Sequence, residues 1–358
     1  MDLFTFVALS MLPASRSRAA SAFKDIRHLA DLECEAALDR VLHACELEQN
    51  GRREAIALAR ERASAALTAA ASANIEPVAW NDPRFPALLS CIPDPPPVLW
   101  VRGNLDCLGR PAVAIVGSRA ATPYALDVGY RLARELSDLG FVVTSGLARG
   151  VDSAAHRGCL AGQTPTIAVL GSGVDRVYPS QNEDLATEIS QKGLVISELG
   201  PGAAPLPEHF PLRNRIIAGI SLAVVVVEAS EKSGSLITAR CALEQGRDVM
   251  AVPGNVLSGR NRGSHSLLKD GAKVVESAVD ILEGLGWPAG ASPRALPAKL
   301  LQTDSLLDRM EAGEVYRLDE LMELTGVTGT RLLARLMELE LAGLVTQTGS
   351  GFARRLLT

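Results

Sequence analysis

The strongest constraint on this 358-residue chain is an alternation of short β-branched runs with helix-like stretches across its middle. The runs are Ala112-VAIV-Gly117, Phe141-VVTS-Gly146, Thr166-IAVL-Gly171, Leu194-VIS-Glu198, Leu222-AVVVV-Glu228, Asp248-VMAV-Pro253 and Lys273-VV. Each ends in glycine or a polar turn, and helices of roughly 10–16 residues fit between them. Nearly continuous apolar strands alternating with helices predict a doubly wound, mainly parallel α/β sheet covered on both faces. In such sheets ligands bind beyond the carboxyl ends of the strands, where the chain switches direction.

The flanks read differently. Residues 1–74 are rich in Ala and Leu, and Leu38, Val41, Leu42 and Cys45 follow helical spacing, which predicts a small helical domain. Prolines at 77, 83, 86, 93, 95, 96 and 97 predict an irregular or extended connector that ends in a short strand at 98–101, so the α/β domain with its lead-in spans 75–286. Residues 287–298, WPAGASPRALPA, read as a linker. In 299–358, helices at Ser305–Arg309, Leu318–Thr325 and Thr330–Leu341 precede a hairpin of Leu344-VTQT and Phe352-ARRLL, the order of a winged helix.

Composition removes several function classes. With 36 Lys+Arg against 41 Asp+Glu the net charge is −5, so any phosphate binding must come from a local cluster of cations and backbone amides. Aromatic residues make up 4%, too few for a broad base-stacking surface. The six cysteines, at 34, 45, 91, 107, 159 and 241, have no metal-ligand spacing and read as reduced thiols; no cofactor is implied. The opening MDLFTFVALSML has the apolarity of a signal peptide, but Asp2 stands where a positive region belongs, so a cytoplasmic protein without a membrane span is expected.

Four glycine-containing loops sit between a predicted strand and a predicted helix: Gly117-Ser118-Arg119, Ser145-Gly146-Leu-Ala-Arg149-Gly-Val-Asp152, Gly171-Ser-Gly173 and Ser233-Gly234-Ser235-Leu-Ile-Thr238. Glycine lets the backbone approach an anion, and a helix N-terminus offers free amides and a positive dipole end. The alternative is that these glycines only turn the chain. The dinucleotide fingerprint G-x-G-x-x-G is not met, which disfavours a nicotinamide cofactor. In His209-Phe210-Pro-Leu-Arg213-Asn214-Arg215, two arginines and an Asn at a helix start suit successive phosphates and Phe210 suits a base. Arg260, Arg262, His265, Lys269 and Lys273 form a further basic cluster.

Catalytic signatures are scarce. None of the five histidines forms H-E-x-x-H, and neither a G-x-S-x-G elbow nor a P-loop is present. Asp152 reads as a cap more than a catalyst, and Glu198, Glu208 and Glu228 read as structural more than as general bases.

The runs VAIVGSRAATPYA, VTSGLARGVDSAAHRGCL, GSGVDRVYP, HFPLRNRIIAGIS and VVVVEASEKSGSLITARCALEQGRDVMAVPGN resemble, in order and spacing, the bacterial DNA-processing DprA (Smf) family across roughly 75–283. The resemblance implies an extended Rossmann-like domain that binds single-stranded DNA, protects it and loads the RecA recombinase during natural transformation. It also implies a homodimer and no catalytic activity. Carried residue by residue, it assigns DNA contacts to Gly117, Ser118, Arg119, Ser145, Gly146, Gly171, Gly173, Phe210, Arg213, Asn214, Arg215, Gly234, Ser235 and Thr238. Ser180 stands where relatives often carry a lysine. The N-terminal stretch from Leu12 to Phe23 resembles a helix-hairpin-helix in which Ala14 and Ser15 replace the glycines, weakening a DNA role there. Residues 295–358 hold seven cations against nine acids, a poor balance for reading duplex, so a protein-contact or regulatory role is expected of the winged helix. A competing reading is a nucleotide N-glycosidase on a related fold. It lacks support at 233–240, where no acid precedes Glu244.

Overall fold

The computed structural model describes residues 1–13, 16–27, 29 and 32–287, and in the C-terminal part 306, 309–310, 315–325, 329–341, 345–348 and 351–354. Contacts divide the chain into two units, Met1–Leu296 and Pro297–Thr358.

In the first unit a two-strand lead-in, β1 (Glu76–Ala79) and β2 (Val98–Gly103), precedes the seven expected runs. Those runs form β3 (Ala112–Val116), β4 (Val142–Ser145), β5 (Thr166–Val169), β6 (Leu194–Ser197), β7 (Ala223–Val226), β8 (Asp248–Ala251) and β9 (Lys273–Val274). Among the described residues they make one sheet in the order β1-β2-β6-β5-β4-β3-β7-β8-β9. Pairing is parallel from β6 through to β9, and antiparallel where β2 joins β6 and where β1 joins β2. β1 was not expected, because Pro77 argues against a strand; as an edge strand it tolerates the missing amide.

Four helices precede the sheet: α1 (Leu3–Ser10), α2 (Arg16–Ile26), α3 (Cys34–Ala44) and α4 (Gln49–Ser72). They share an apolar core with the sheet, in which Phe6, Phe23, Leu38 and Val41 meet Val98, Trp100, Leu170 and Val195. The hairpin region expected at Leu12–Phe23 is helical from Arg16, and Ala14 and Ser15 lie outside the described residues.

The short helix α5 (Ala87–Ser90) lies in the lead-in. The remaining helices cover both faces of the sheet, as strand pleating requires. Val113 and Ile115 of β3 pack with Leu132 and Leu136 of α6 (Pro123–Asp138) and with Val151 and Ala155 of α7 (Val151–Leu160). Their neighbours Ala112, Ala114 and Val116 point the other way, toward a layer holding Ile216 and Ile217 of α9 (His209–Gly219) and Ala239 and Ala242 of α10 (Ser235–Glu244). Between these, α8 (Glu183–Lys192) backs β5 and β6, and α11 (Arg262–Lys269) and α12 (Ala278–Gly284) complete the unit. No helix among the described residues is long and apolar enough to cross a membrane.

In the second unit helices at Leu318–Thr325 and Gly329–Leu341 accompany a three-stranded antiparallel sheet, Val315–Tyr316, Gly351–Arg354 and Val345–Thr348. The strand at Val315 was not expected. The helix expected at Ser305–Arg309 and the linker beyond Trp287 lie largely outside the described residues.

Candidate nucleic-acid interface

Strand order fixes where a site can form. From β3 the chain winds outward through β4, β5 and β6, then returns to place β7 on the other side of β3. The loops leaving β3 and β7 therefore diverge, and a crevice opens between them. It is occupied by a cleft of about 580 Å³. The β3 loop contributes Gly117, Ser118 and Arg119, and the β7 loop with the start of α10 contributes Ser233, Gly234, Ser235 and Thr238. α9 supplies Phe210, Arg213 and Asn214 from the side. Nine of the fourteen expected residues line this one cleft, and Gly146 lines an adjoining cavity.

Their roles differ from the uniform DNA contact expected. Arg119 is exposed, and its guanidinium lies 5.6 Å from the Phe210 ring centroid. The Tyr178 ring packs against Phe210, their centroids 5.4 Å apart at 47°. A cation and two aromatic rings thus form one compact platform, suited to a phosphate beside a base. Asn214 donates from Nδ2 to the Gly234 carbonyl at 3.4 Å and so ties α9 to the α10 loop. The Ser233 and Ser235 hydroxyls are 2.7 Å apart at the α10 N-terminus, where amides and dipole favour an anion.

Arg213 is buried beneath this surface. Its Nη1 donates to the carbonyls of Gly146 at 2.5 Å and Val169 at 2.6 Å, and its Nε donates to Asn214 Oδ1 at 3.2 Å. Burial lowers its pKa to about 10, so it stays cationic at neutral pH. The guanidinium fits only because residue 146 lacks a side chain: a Cβ there would stand 2.5 Å from it. Gly146 thus admits an arginine where close approach of a phosphate was expected.

Arg215 does not reach the cleft. Two residues along a helix turn the side chain about 200°, so it leaves α9 on the opposite side from Arg213. It pairs there with Asp94, Nε to Oδ2 3.0 Å, and with Glu198. The expected DNA contact is replaced by a buried ion-pair cluster. Gly171 and Gly173 also act in packing: a Cβ at 171 would crowd Phe210 at 3.1 Å, and one at 173 would meet the Gly200 carbonyl at 2.8 Å. Ser145 is fully buried and its hydroxyl donates to Ile115 O at 2.6 Å, fastening β4 to β3.

The loop from Ser145 to Asp152 turns sharply. Leu147 has φ +56°, an uncommon conformation for a branched side chain, sustained by its full burial and by Asn182 Nδ2 donating to its carbonyl at 2.8 Å. Asp152 Oδ2 accepts from the amides of Gly146 at 3.1 Å and Ala148 at 3.4 Å, so it braces the loop before α7 instead of capping the helix as expected, the N-cap being Gly150. Burial pushes its pKa up, opposed by Arg213 and the two amides. Asp152 is the one carboxylate among the described residues lining the cleft. Glu228 accepts from Thr122 Oγ1 at 2.6 Å and so holds the start of α6, while Glu198 is taken by Arg215. Of the basic cluster, Arg260 donates to Ala120 O at 2.8 Å, and Arg262 and Lys273 face Glu231 and Asp248 at 3.6 and 3.7 Å.

His156 lies fully buried on α7. The Thr166 hydroxyl gives its proton to Val143 O at 2.7 Å, so at 2.8 Å it accepts from His156 Nδ1, leaving Nε2 unprotonated. Burial, with the charges of Arg213 and Arg157, depresses the imidazole pKa to about 3 from 6.5. The unfolded chain therefore takes up a proton that the folded chain refuses. This contribution to stability is complete above about pH 6.5 and is lost as the pH falls toward 3. Between pH 7 and 5 the wild type should lose about 2 kcal/mol more than His156→Gln in urea titrations. Equal losses would refute the buried neutral imidazole.

The sequence profile described as "DNA recombination-mediator protein A" matches residues 76–286, more than half of the chain and all the cleft residues. The chain belongs to the DNA recombination-mediator protein A (DprA) family. The profile described as "DprA winged helix domain" matches residues 290–351. The "DNA processing protein DprA" of Streptococcus pneumoniae is 47% identical over 201 residues, 56% of this chain and 71% of the relative. The X-ray structure of DprA from that organism superposes with a TM-score of 0.68 at 36% identity, covering 79% of this chain and 98% of that one. DprA from Helicobacter pylori, whose structure is described as giving insights into a unique single-stranded DNA binding mode, superposes at 0.54 with 30% identity, covering 59% and 95%.

Within this DprA-family fold, Tyr178 is the cleft residue that sequence reasoning passed over. Its signal was an aromatic side chain closing the Gly171–Pro179 loop in a chain with few aromatics.

Proposed function

We propose that this chain binds single-stranded DNA in the cleft at the strand-order switch, without cleaving it, and serves as a recombination mediator. The observation that carries this reading is the platform of Arg119, Phe210 and Tyr178 beside the α10 N-terminus. Stacking accepts any base, and an exposed guanidinium with helix-terminal amides suits the intervening phosphate. The exposed faces of the rings suit unpaired bases, which a duplex keeps stacked on one another. Hydrolysis is disfavoured because Asp152 is committed to two amides and no second carboxylate lines the cleft among the described residues.

Ultraviolet cross-linking of an oligonucleotide carrying 5-iodouracil, read by mass spectrometry, should mark Phe210 and Tyr178. Cross-links confined to other surfaces would refute the assignment. The single-strand binding of the Helicobacter pylori relative supports the binding itself, and membership of the DprA family supports two finer parts of the proposal: a homodimer in the cytoplasm, and delivery of the strand to RecA. Sedimentation that finds only monomer, or RecA strand exchange that gains nothing from the chain, would remove the corresponding part.

A further inference from the structure

Arg119, Ala148, Tyr178, Phe210 and Arg213 line the main cleft and also a second cavity of about 220 Å³, so they form the divide between the two. The second cavity is completed by Gly146, Arg149, Pro179, Ser180 and Gln181. Among the described residues no carboxylate lines it. Arg149 stands exposed on the strained loop between β4 and α7 and makes no hydrogen bond or ion pair among the described residues. Two other arginines, both of α9, are occupied: Arg215 faces acids and Arg213 holds carbonyls.

The loop that presents Arg149 is unusually well fixed. Leu147 anchors it by burial, Asp152 braces it through two amides, and Ser153 Oγ donates to Ala148 O at 2.6 Å. Gly150, at φ +78°, lies so close to the Ser118 carbonyl that a side chain there would collide with it. The Arg119 and Arg149 loops are thus locked together, backbone on backbone. Two guanidinium groups without hydrogen bonds or ion pairs among the described residues, held on a rigid support with an aromatic divide between two cavities, match the repeat of a strand: phosphate, base, phosphate.

Resting on the single-strand reading above, we infer that the second cavity receives the nucleotide next to the one in the main cleft, with Arg149 as its phosphate contact. Tyr178 and Phe210 then stand between consecutive bases. The Ser180 hydroxyl and the Gln181 amide offer this neighbour uncharged hydrogen-bond partners, leaving Arg149 as the cation it does not share with the main cleft.

The test is fluorescence anisotropy of the full chain with labelled single-stranded oligothymidylate over a salt series, comparing wild type, Arg149→Ala and Arg149→Lys. Arg149→Ala should bind about tenfold more weakly, with the slope of log K against log salt smaller by about 0.7, one single-strand phosphate. Arg149→Lys should keep the wild-type slope, and neither change should move the melting temperature, since the side chain bonds to none of the described residues. A wild type that binds while Arg149→Ala matches it in affinity and slope overturns this inference alone. Loss of binding together with a lowered melting temperature also overturns it, by making Arg149 structural. A wild type that does not bind overturns it together with the reading on which it rests.

Discussion

Arg119→Ala should weaken single-strand binding roughly 30-fold, about 2 kcal/mol, with the fold unchanged. The side chain does two things at once: it offers a charge-assisted contact to phosphate and lies over the ring on which a base would stack. Because it is exposed and makes no hydrogen bond among the described residues, its removal leaves no buried group there unpaired. The salt slope should therefore fall by about 0.7, while the urea midpoint stays in place. Anisotropy and urea titration on the same preparation read both quantities. Unchanged affinity would separate Arg119 from the DNA path.

Arg213→Ala should act in the opposite sense, on the fold first. Two carbonyls, of Gly146 and Val169, lose their donors in a dry environment, and Asp152 loses the principal charge that favours its ionised form. Removing one partner of such a buried arrangement costs about 3–5 kcal/mol. A calorimetric melting temperature lowered on the order of 10 °C is expected. Binding should weaken as a consequence, because the Gly146 loop and the α9 segment bearing Phe210 are the parts that Arg213 joins. Arg213→Lys keeps the charge but cannot reach two carbonyls in a fork, so it should fall between. A melting temperature equal to wild type in Arg213→Ala would show that the guanidinium is not the strut described.

These two arginines illustrate how far the sequence could be read. Six of the seven apolar runs became largely buried parallel strands because nothing competes with burial on both faces, and the seventh, β9, is a two-residue exposed edge. The loops at 117–119 and 233–238 were placed correctly at one cleft because strand-to-helix turns of an α/β sheet gather at one edge. Side-chain direction was harder. Arg213 and Arg215 look equivalent in F-P-L-R-N-R, yet helical geometry alone sets them on opposite sides, and Phe210 shares a face with Arg213, three residues away. The acids that claim Arg215, Asp94 and Glu198, come from distant parts of the chain, and no local pattern announces them. Likewise, the glycines at 146, 171 and 173 read as anion approaches in the sequence, whereas each in fact yields space to a neighbouring group. β1 was hidden by its own proline, harmless only because that strand lies at an edge.

Single-strand binding by an acidic protein through one locally basic, aromatic cleft is the expected behaviour. Its most direct measurement is equilibrium anisotropy of the wild-type chain with a labelled single-stranded oligonucleotide and with the matched duplex, across a salt series. The predicted result is tight binding to the single strand that weakens steeply with salt, with the duplex bound much more weakly at every salt concentration. Equal binding of both forms, or no binding of the single strand at low salt, would contradict it.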